Sequence, residues 1–318
     1  MRVESKQAGH LIGDIASIGE CMVEMAPDAD GLYRQGFAGD TLNTAWYIRA
    51  LTSSERRKVR YVSAVGTDAL SQRMTDFLEN NGLDTQAIAR IPDRTLGLYL
   101  ITLDGAERSF TYWRKDAAAR LLASNVDRLR ATLDGVGLAY FSGITLAILT
   151  PEDRQRLFSV LDQFRKDGGE VAFDPNIRPR LWPDRETMAA ATTEGYRAAT
   201  IALPTFRDDA ELFGDPSPEA TADRIAALGP REIIVKDGAS PALVRTPAGQ
   251  RFLPVANGER PVDTTGAGDS FNGGYLAGRS AGLDGFAATE LAHKVAARVI
   301  CVRGALAPMS MFDDLRVG

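Results

Sequence analysis

The chain has 318 residues, 44% of them hydrophobic and 25% charged, with a net charge of −5 at pH 7. That length holds one large α/β domain or two smaller ones, and the composition is that of a soluble globular protein. No basic excess calls for nucleic acid, and two histidines, His10 and His293, form no zinc-type cluster. Cysteines at Cys21 and Cys301 alone argue against a disulfide framework and for a reducing cytoplasm.

In chain order, residues 1–14 predict a loose N-terminal extension: the start carries charges and no apolar core, unlike a signal peptide. Residues 15–25 predict a first buried strand containing Gly19 and Glu20. A helix follows over 41–51, with an apolar stripe at Leu42, Ala45, Trp46 and Ile48. A strand at 60–65 and a helix at 70–80, stopped near Gly82, continue an alternation that implies a parallel sheet with helices on its faces. The texture then changes. Two β-rich runs, 95–103 and 107–114, are joined by Asp104-Gly105-Ala106, a hairpin signal. The period of two puts Phe110, Tyr112 and Arg114 on one face of the second run. Such an insertion reads as a lid, or else as an ordinary edge sheet.

The α/β rhythm resumes with a strand at 137–141, a helix at 151–167, a strand at 171–174 and a helix end plus strand across 196–203. A helix at 219–228, a strand at 232–236 and a small hairpin at 242–245 and 250–255 come next, then helices at 270–281 and 285–302. The longest apolar run, 136–149, is interrupted by Ser142 and Gly143 and is too short for a bilayer. The expected fold is α/β: one domain over 15–318, a doubly wound, mostly parallel sheet flanked by helices. A small β-sheet lid is inserted from about 29–38 and 92–115.

The most informative stretch is Asp263-Thr264-Thr265-Gly266-Ala267-Gly268-Asp269-Ser270-Phe271. It reads as a Gly turn opening a helix. The first turn of a helix offers unpaired N–H groups and the positive end of a dipole, which together suit phosphate oxygens. Asp269 beside such a phosphate is costly unless it accepts a proton from an attacking hydroxyl, so the stretch suggests phosphoryl transfer to an alcohol. Turn-and-cap chemistry is the plain alternative. Gly39-Asp40, with Asn43 one turn later, follows the lid strand. Asp40 either accepts from sugar hydroxyls or merely caps the helix. No Gly-x-x-x-x-Gly-Lys-Ser/Thr loop is present, and no Gly-x-Gly-x-x-Gly follows the first strand.

The nonapeptide resembles the C-terminal signature of the PfkB, ribokinase-like carbohydrate kinases, D-T-x-G-A-G-D. Asp40 to Asn43 resembles the family's G-G-D-x-x-N, with Ala38 in place of the first glycine. The resemblance implies that Asp269 is the general base and that Gly266, Ala267 and Gly268 form an anion hole. It implies ATP and Mg²⁺ as cofactors. On the nucleotide it places Asn176, from Asp174-Pro175-Asn176, then Lys236 and Gly238, from Lys236-Asp237-Gly238-Ala239, with Thr264, His293 and Ala297.

Ile18–Met25, Gly39–Ala45, Thr111–Arg114 and Asn176–Trp182 are similar to the branch acting on 2-keto-3-deoxygluconate, over nearly the whole chain. That branch implies a sugar-acid substrate held by Gly39, Asp40, Tyr99, Tyr112, Arg114 and Arg178, with Asn43 a weaker member. A guanidinium suits a carboxylate and is wasted on a neutral sugar. A kinase for fructose or ribose, or a non-catalytic sugar-binding protein, are the rival readings. The usual N-x-x-E motif is replaced near Pro204, leaving Asp208, Asp209 or Glu211 to support the metal. Exposed lid edges suggest a homo-oligomer.

Overall fold

The computed structural model describes residues 13–28, 31–104, 107–255 and 261–318. Residues 1–12 of the expected extension lie outside the described residues, as do 29–30 and 105–106 of the expected lid; Asp14 already opens the first strand.

The chain begins in the middle of a large sheet with β1 (Asp14–Ile18) and then leaves it for β2 (Met22–Pro27) and β3 (Tyr33–Ala38). It returns through α1 (Asp40–Leu51), β4 (Val59–Val65), α2 (Ala69–Asn80) and β5 (Ile88–Arg90). A hairpin of β6 (Leu98–Asp104) and β7 (Glu107–Trp113) precedes α3 (Val126–Ala131) and β8 (Val136–Ser142). Next come α4 (Gly143–Ile148), α5 (Pro151–Lys166), β9 (Glu170–Asp174), α6 (Arg185–Ala198) and β10 (Ile201–Ala202). Helices α7 (Phe206–Phe213) and α8 (Pro218–Ala226) lead to β11 (Glu232–Val235) and the hairpin β12 (Ala242–Thr246) and β13 (Gly249–Leu253). Helices α9 (Ala267–Ser280) and α10 (Gly285–Val299) close the fold.

Nine strands form the large sheet in the order β13-β12-β11-β10-β9-β8-β1-β4-β5, parallel except for β12 and β13. The four others form a separate sheet, β3-β2-β6-β7. The central strands of the large sheet, β1, β4, β8, β9, β10 and β11, are buried on both faces, as crossover helices require. Ala16, Ala139, Phe141, Val171 and Phe173 pack on one side against Leu146, Leu157, Val160, Tyr196 and Ile225 of α4, α5, α6 and α8. Their chain neighbours Ile15, Leu138, Tyr140 and Ala172 pack on the other against Leu42, Ile48, Met74, Phe271, Tyr275 and Ala292 of α1, α2, α9 and α10. The strand period of two thus builds both cores at once, and each fully buried large side chain contributes roughly 1.5–3 kcal/mol.

The expected strand over 15–25 is two strands in two sheets. The chain breaks at Gly19-Glu20-Cys21, where it crosses out of the large sheet against the start of α1. Gly39 marks the return crossing, and a Cβ there would sit 2.2 Å from the Glu20 carbonyl oxygen. Apolar residues resume directly after Gly19-Glu20, so the pattern alone did not locate the crossing. Helix α4 was also unforeseen, although Ser142 and Thr145 form a capping box at its start.

In an open α/β sheet, ligands bind beyond the strand C-termini where the strand order reverses. Here that point lies between β1 and β8, and the small sheet stands over the same edge.

Candidate active site

Most helices are capped by their own side chains: Asp68 caps α2, Thr150 caps α5 with Pro151 next, and Asp284 caps α10. Among the described residues the α-helices without a side-chain cap are α1, α7 and α9. The residues that open all three line the same cleft: Gly39 and Asp40, Thr205, and Gly266 to Gly268. In their first turns Thr41 N–H donates to Asp40 and the Phe206 and Ala267 N–H groups donate to the carbonyls of Lys236 and Thr264, while Gly268 and Asp269 N–H groups take no acceptor among the described residues and suit an anion.

Gly266 has φ 75°, a left-handed turn that suits glycine, and its missing side chain leaves room for the Ala305 carbonyl 2.9 Å from a hypothetical Cβ. Asp263 braces this turn by accepting from the N–H groups of Thr265 at 3.0 Å and Gly304 at 2.8 Å. Two cavities meet there. The first, of about 670 Å³, lies under the small sheet and is lined by Gly39, Asp40, Asn43, Tyr99, Tyr112, Arg114, Asn176, Arg178 and Asp269. The second, of about 690 Å³, is lined by Lys236, Gly238, Thr264, Gly268, Phe271, His293 and Ala297. Thr205, Lys236, Thr264, Ala267 and Gly268 belong to both walls.

The structure therefore brings together every site residue expected from the sequence, divided as sugar and nucleotide walls, with two exceptions. Asn176 and Gly266 line the first cavity rather than the second. Asn176 sits at φ 33°, held by its N–H donating 2.9 Å to Asp174, and its amide donates 2.8 Å to Asp40.

Asp269 lies deep in the cleft, one residue into the first turn of α9 beyond Gly268. Burial pushes its carboxyl up to about 7, the charge of Asp40 adds to the rise, and a 2.7 Å hydrogen bond from the Asn43 amide opposes it. Asp40 is raised as well, by burial first, against hydrogen bonds from Ser142, Asn176 and the Thr41 N–H. Two buried carboxylates facing one cavity cannot both ionise cheaply, which is the arrangement expected of a base poised near neutrality.

Arg114 is not free in the cavity wall: its guanidinium donates to the buried Glu20 carboxylate. Tyr99 donates its hydroxyl to Glu24. Tyr112 is 48% exposed on the cavity side. Arg178 is exposed, has no ion-pair partner among the described residues, and offsets part of the burial cost of Asp208. Lys236 is buried and gives hydrogen bonds to Asp174 at 2.9 Å and Asn272 at 3.0 Å. Asn272, fully buried one turn after Asp269, also donates 2.6 Å to Asp174. Asn272 and Glu20 escaped the sequence reading because a lone Asn or Glu inside an apolar run carries no local signal. His293 packs its ring 5.2 Å from Phe271, and burial holds it below its usual range.

Of the three acids expected near a metal, Asp209 is fully buried against Arg224 and Tyr196, with contacts of 2.6 and 2.7 Å, and faces away from the cleft. Glu211 is exposed and outside both cavity walls. Asp208 lines the first cavity. No cluster of three or more His, Cys, Asp or Glu suited to a metal occurs among the described residues, so the donors fit a cation carried chiefly by phosphates and water.

A carboxylate at an uncapped helix start, between two cavities at a topological switch point, defines a small-molecule kinase of the α/β class. The model of the pfkB family carbohydrate kinases matches residues 13–311. The chain is 40% identical over 303 residues to the 2-dehydro-3-deoxygluconokinase of Dickeya dadantii, covering 93% of this chain and 97% of that one. The enzyme of the same name from Escherichia coli is 40% identical over 301 residues, covering 92% and 97%. Among solved structures, a fructokinase with bound ATP from Xylella fastidiosa superposes with a TM-score of 0.81 at 22% identity, covering 92% and 94%. An Escherichia coli chain assigned provisionally as ribokinase II, in complex with ATP and Mg²⁺, gives 0.82 at 23%, covering 96% and 99%. This chain belongs to the pfkB family of carbohydrate kinases.

Proposed function

We propose that the protein transfers the γ-phosphoryl group of ATP to the 6-hydroxyl of 2-keto-3-deoxygluconate, giving the 6-phosphate and ADP. The observation that carries this reading is the Asp269 carboxyl on the first cavity's wall, directly after Ala267 and Gly268, which line both cavities, with burial pushing it up to about 7. The sugar acid occupies the first cavity and the nucleotide the second. The acceptor oxygen attacks the γ-phosphorus, its proton passes to Asp269, and the bond to the β–γ bridging oxygen breaks to release ADP. The turn Gly266-Ala267-Gly268 faces the transferring oxygens, where charge grows, with its Ala267 N–H shared with the Thr264 carbonyl at 3.2 Å. Lys236, shared by both walls, adds a cation at the same place. Asp208 and Asp174 are the carboxylates that would face a Mg²⁺ ion bound with ATP, which would supply neutralisation of phosphate charge.

An acid, rather than a neutral sugar, is favoured by Arg178 on the first wall, exposed and without a salt bridge among the described residues although Asp208 feels its charge, and by the activity named for the relatives at 40% identity. The small sheet acts as a lid that excludes water as a competing acceptor. The thiols of Cys21 and Cys301 are both free, as suits a reducing cytoplasm. Among the described residues no helix is long and apolar enough to cross a membrane.

Asp269→Asn keeps the shape and removes the base. Coupled ADP release with 2-keto-3-deoxygluconate should fall by at least ~10²-fold in kcat, with sugar binding nearly unchanged. Turnover equal to the parent enzyme would sink the assignment. A parent enzyme that ignores this acid and turns over fructose or ribose would replace the substrate but not the mechanism.

A further inference from the structure

We infer that Asn43 is a positioning residue for the Asp269 carboxylate, and that α1 serves as the template on which the base is seated. This rests on the reading of Asp269 as the base. In the sequence reading Asn43 belongs to the sugar. In the fold its amide donates 2.7 Å to Asp269 Oδ2, while Oδ1 takes no hydrogen bond from the described residues. Oδ1 is thereby the oxygen presented to the acceptor hydroxyl.

The same helix holds the other end of Asp269. Thr44 donates its hydroxyl to the Asp269 carbonyl at 3.3 Å. The approach is close because Gly273 lies at the crossing of α1 and α9: a Cβ there would stand 2.6 Å from Tyr47 Cβ and 2.9 Å from the Thr44 carbonyl. Tyr47 extends the seat to the anion turn. Its hydroxyl donates 2.6 Å to the Ala305 carbonyl and accepts from the Ala307 N–H at 3.0 Å, and Ala305 packs behind Gly266. One face of α1 therefore sets the carboxyl, its backbone and the turn before it.

The electrostatics follow the geometry. Asp40 on α1 and Asp174 at the end of β9 face Asp269 and favour its protonated form. Lys236 after β11 and the Asn43 amide favour the carboxylate. Tyr47 of α1 and Tyr140 of β8 face it as neutral phenols whose own ionisation burial opposes. Asn43 is the N–H donor in this set that touches the carboxylate, so its loss moves the titration of Asp269 upward.

The test is the pH profile of kcat/KM with 2-keto-3-deoxygluconate and saturating ATP, for the parent, Asn43→Leu and Asn43→Ser. Serine guards against misfolding of the apolar variant, and a thermal melt checks both. The acid limb should move up by about one pH unit. Turnover at pH 7 should then fall ~5-fold, and at pH 9 return to within ~3-fold of the parent, with the sugar KM changed less than ~3-fold. An unmoved limb with a sugar KM raised tenfold or more would make Asn43 a sugar ligand instead. An unmoved limb and unmoved KM would leave it no role in the reaction. Asp269→Asn in the same assay separates the two levels: full activity there overturns the base itself, whereas an inactive variant with an unmoved Asn43 limb overturns only this inference.

Discussion

At the scale of single residues, burial and charge balance decide what each group does. Asp269 is held near 7 against an ordinary 3.8. The native state therefore binds a proton that the unfolded chain has already released between those values, and native stability falls as pH rises through that window. Asp269→Asn removes the cost. It should raise stability at pH 8 by roughly 1–3 kcal/mol, and should leave it unchanged below about pH 4, where both states are protonated. Denaturant melts at the two pH values check this, and an equal effect at both would exclude ionisation as its cause. Arg178 gives a second case at this scale. A charge-assisted contact to a carboxylate contributes about 1.5–3 kcal/mol, so Arg178→Leu should raise the KM for the keto acid ~10–100-fold. The residual activity toward any neutral sugar should not change. Equal losses for both substrate types would mean that Arg178 supports the site's structure and reads no charge. Arg114, already neutralised by Glu20, supplies directed N–H groups more than charge.

At the scale of elements, the distribution of helix caps is informative. Structural helices end orphan N–H groups on an Asp, Ser, Thr or Asn N-cap, while α1, α7 and α9 lack such a cap and open on the cleft. Helices α1 and α9 also form one of the tightest crossings in the fold, through Gly273. Gly273→Ala puts a methyl group 2.6 Å from Tyr47 Cβ and should cost about 1–3 kcal/mol. Because the shift separates Asn43 from Asp269, kcat should drop with it while ATP binding in the second cavity persists. A variant with lowered melting temperature and intact kcat would show that the crossing matters for packing alone. The elements themselves were largely legible. Most strands of the large sheet announced themselves as short apolar runs, though β5 was not read, and α2, α5, α8 and α10 were read as helical stretches. The exit of β2 to the small sheet was not legible, because Gly19 and Glu20 interrupt the apolar run of 15–25 too briefly to mark a strand end, and the crowding of Glu20 against Gly39 shows where the chain turns.

At the scale of the molecule, the small sheet has two open edges, β3 and β7, and exposes Tyr33 at 44% and Trp113 at 58%. Unpaired strand edges with aromatic side chains favour pairing with a second copy. We expect a dimer in solution through this sheet, converted by Trp113→Glu to the 34.3 kDa monomer without loss of helical signal. Sedimentation that finds the parent already monomeric removes the expectation.

The nonapeptide around Asp269 by itself determined a local arrangement: a glycine turn opening a helix, followed by a carboxylate, which neighbours in sequence suffice to build. The alternation of strands and helices determined the layered fold for the same reason, since periodicity is a property of adjacent residues. Only the tertiary structure decided which atoms face one another. The Asn43 amide meets Asp269 across 226 positions of sequence, Asn176 turns toward Asp40, and Asp209 is withdrawn behind Arg224. Those choices depend on helix crossings and buried charge, which act through space rather than along the chain.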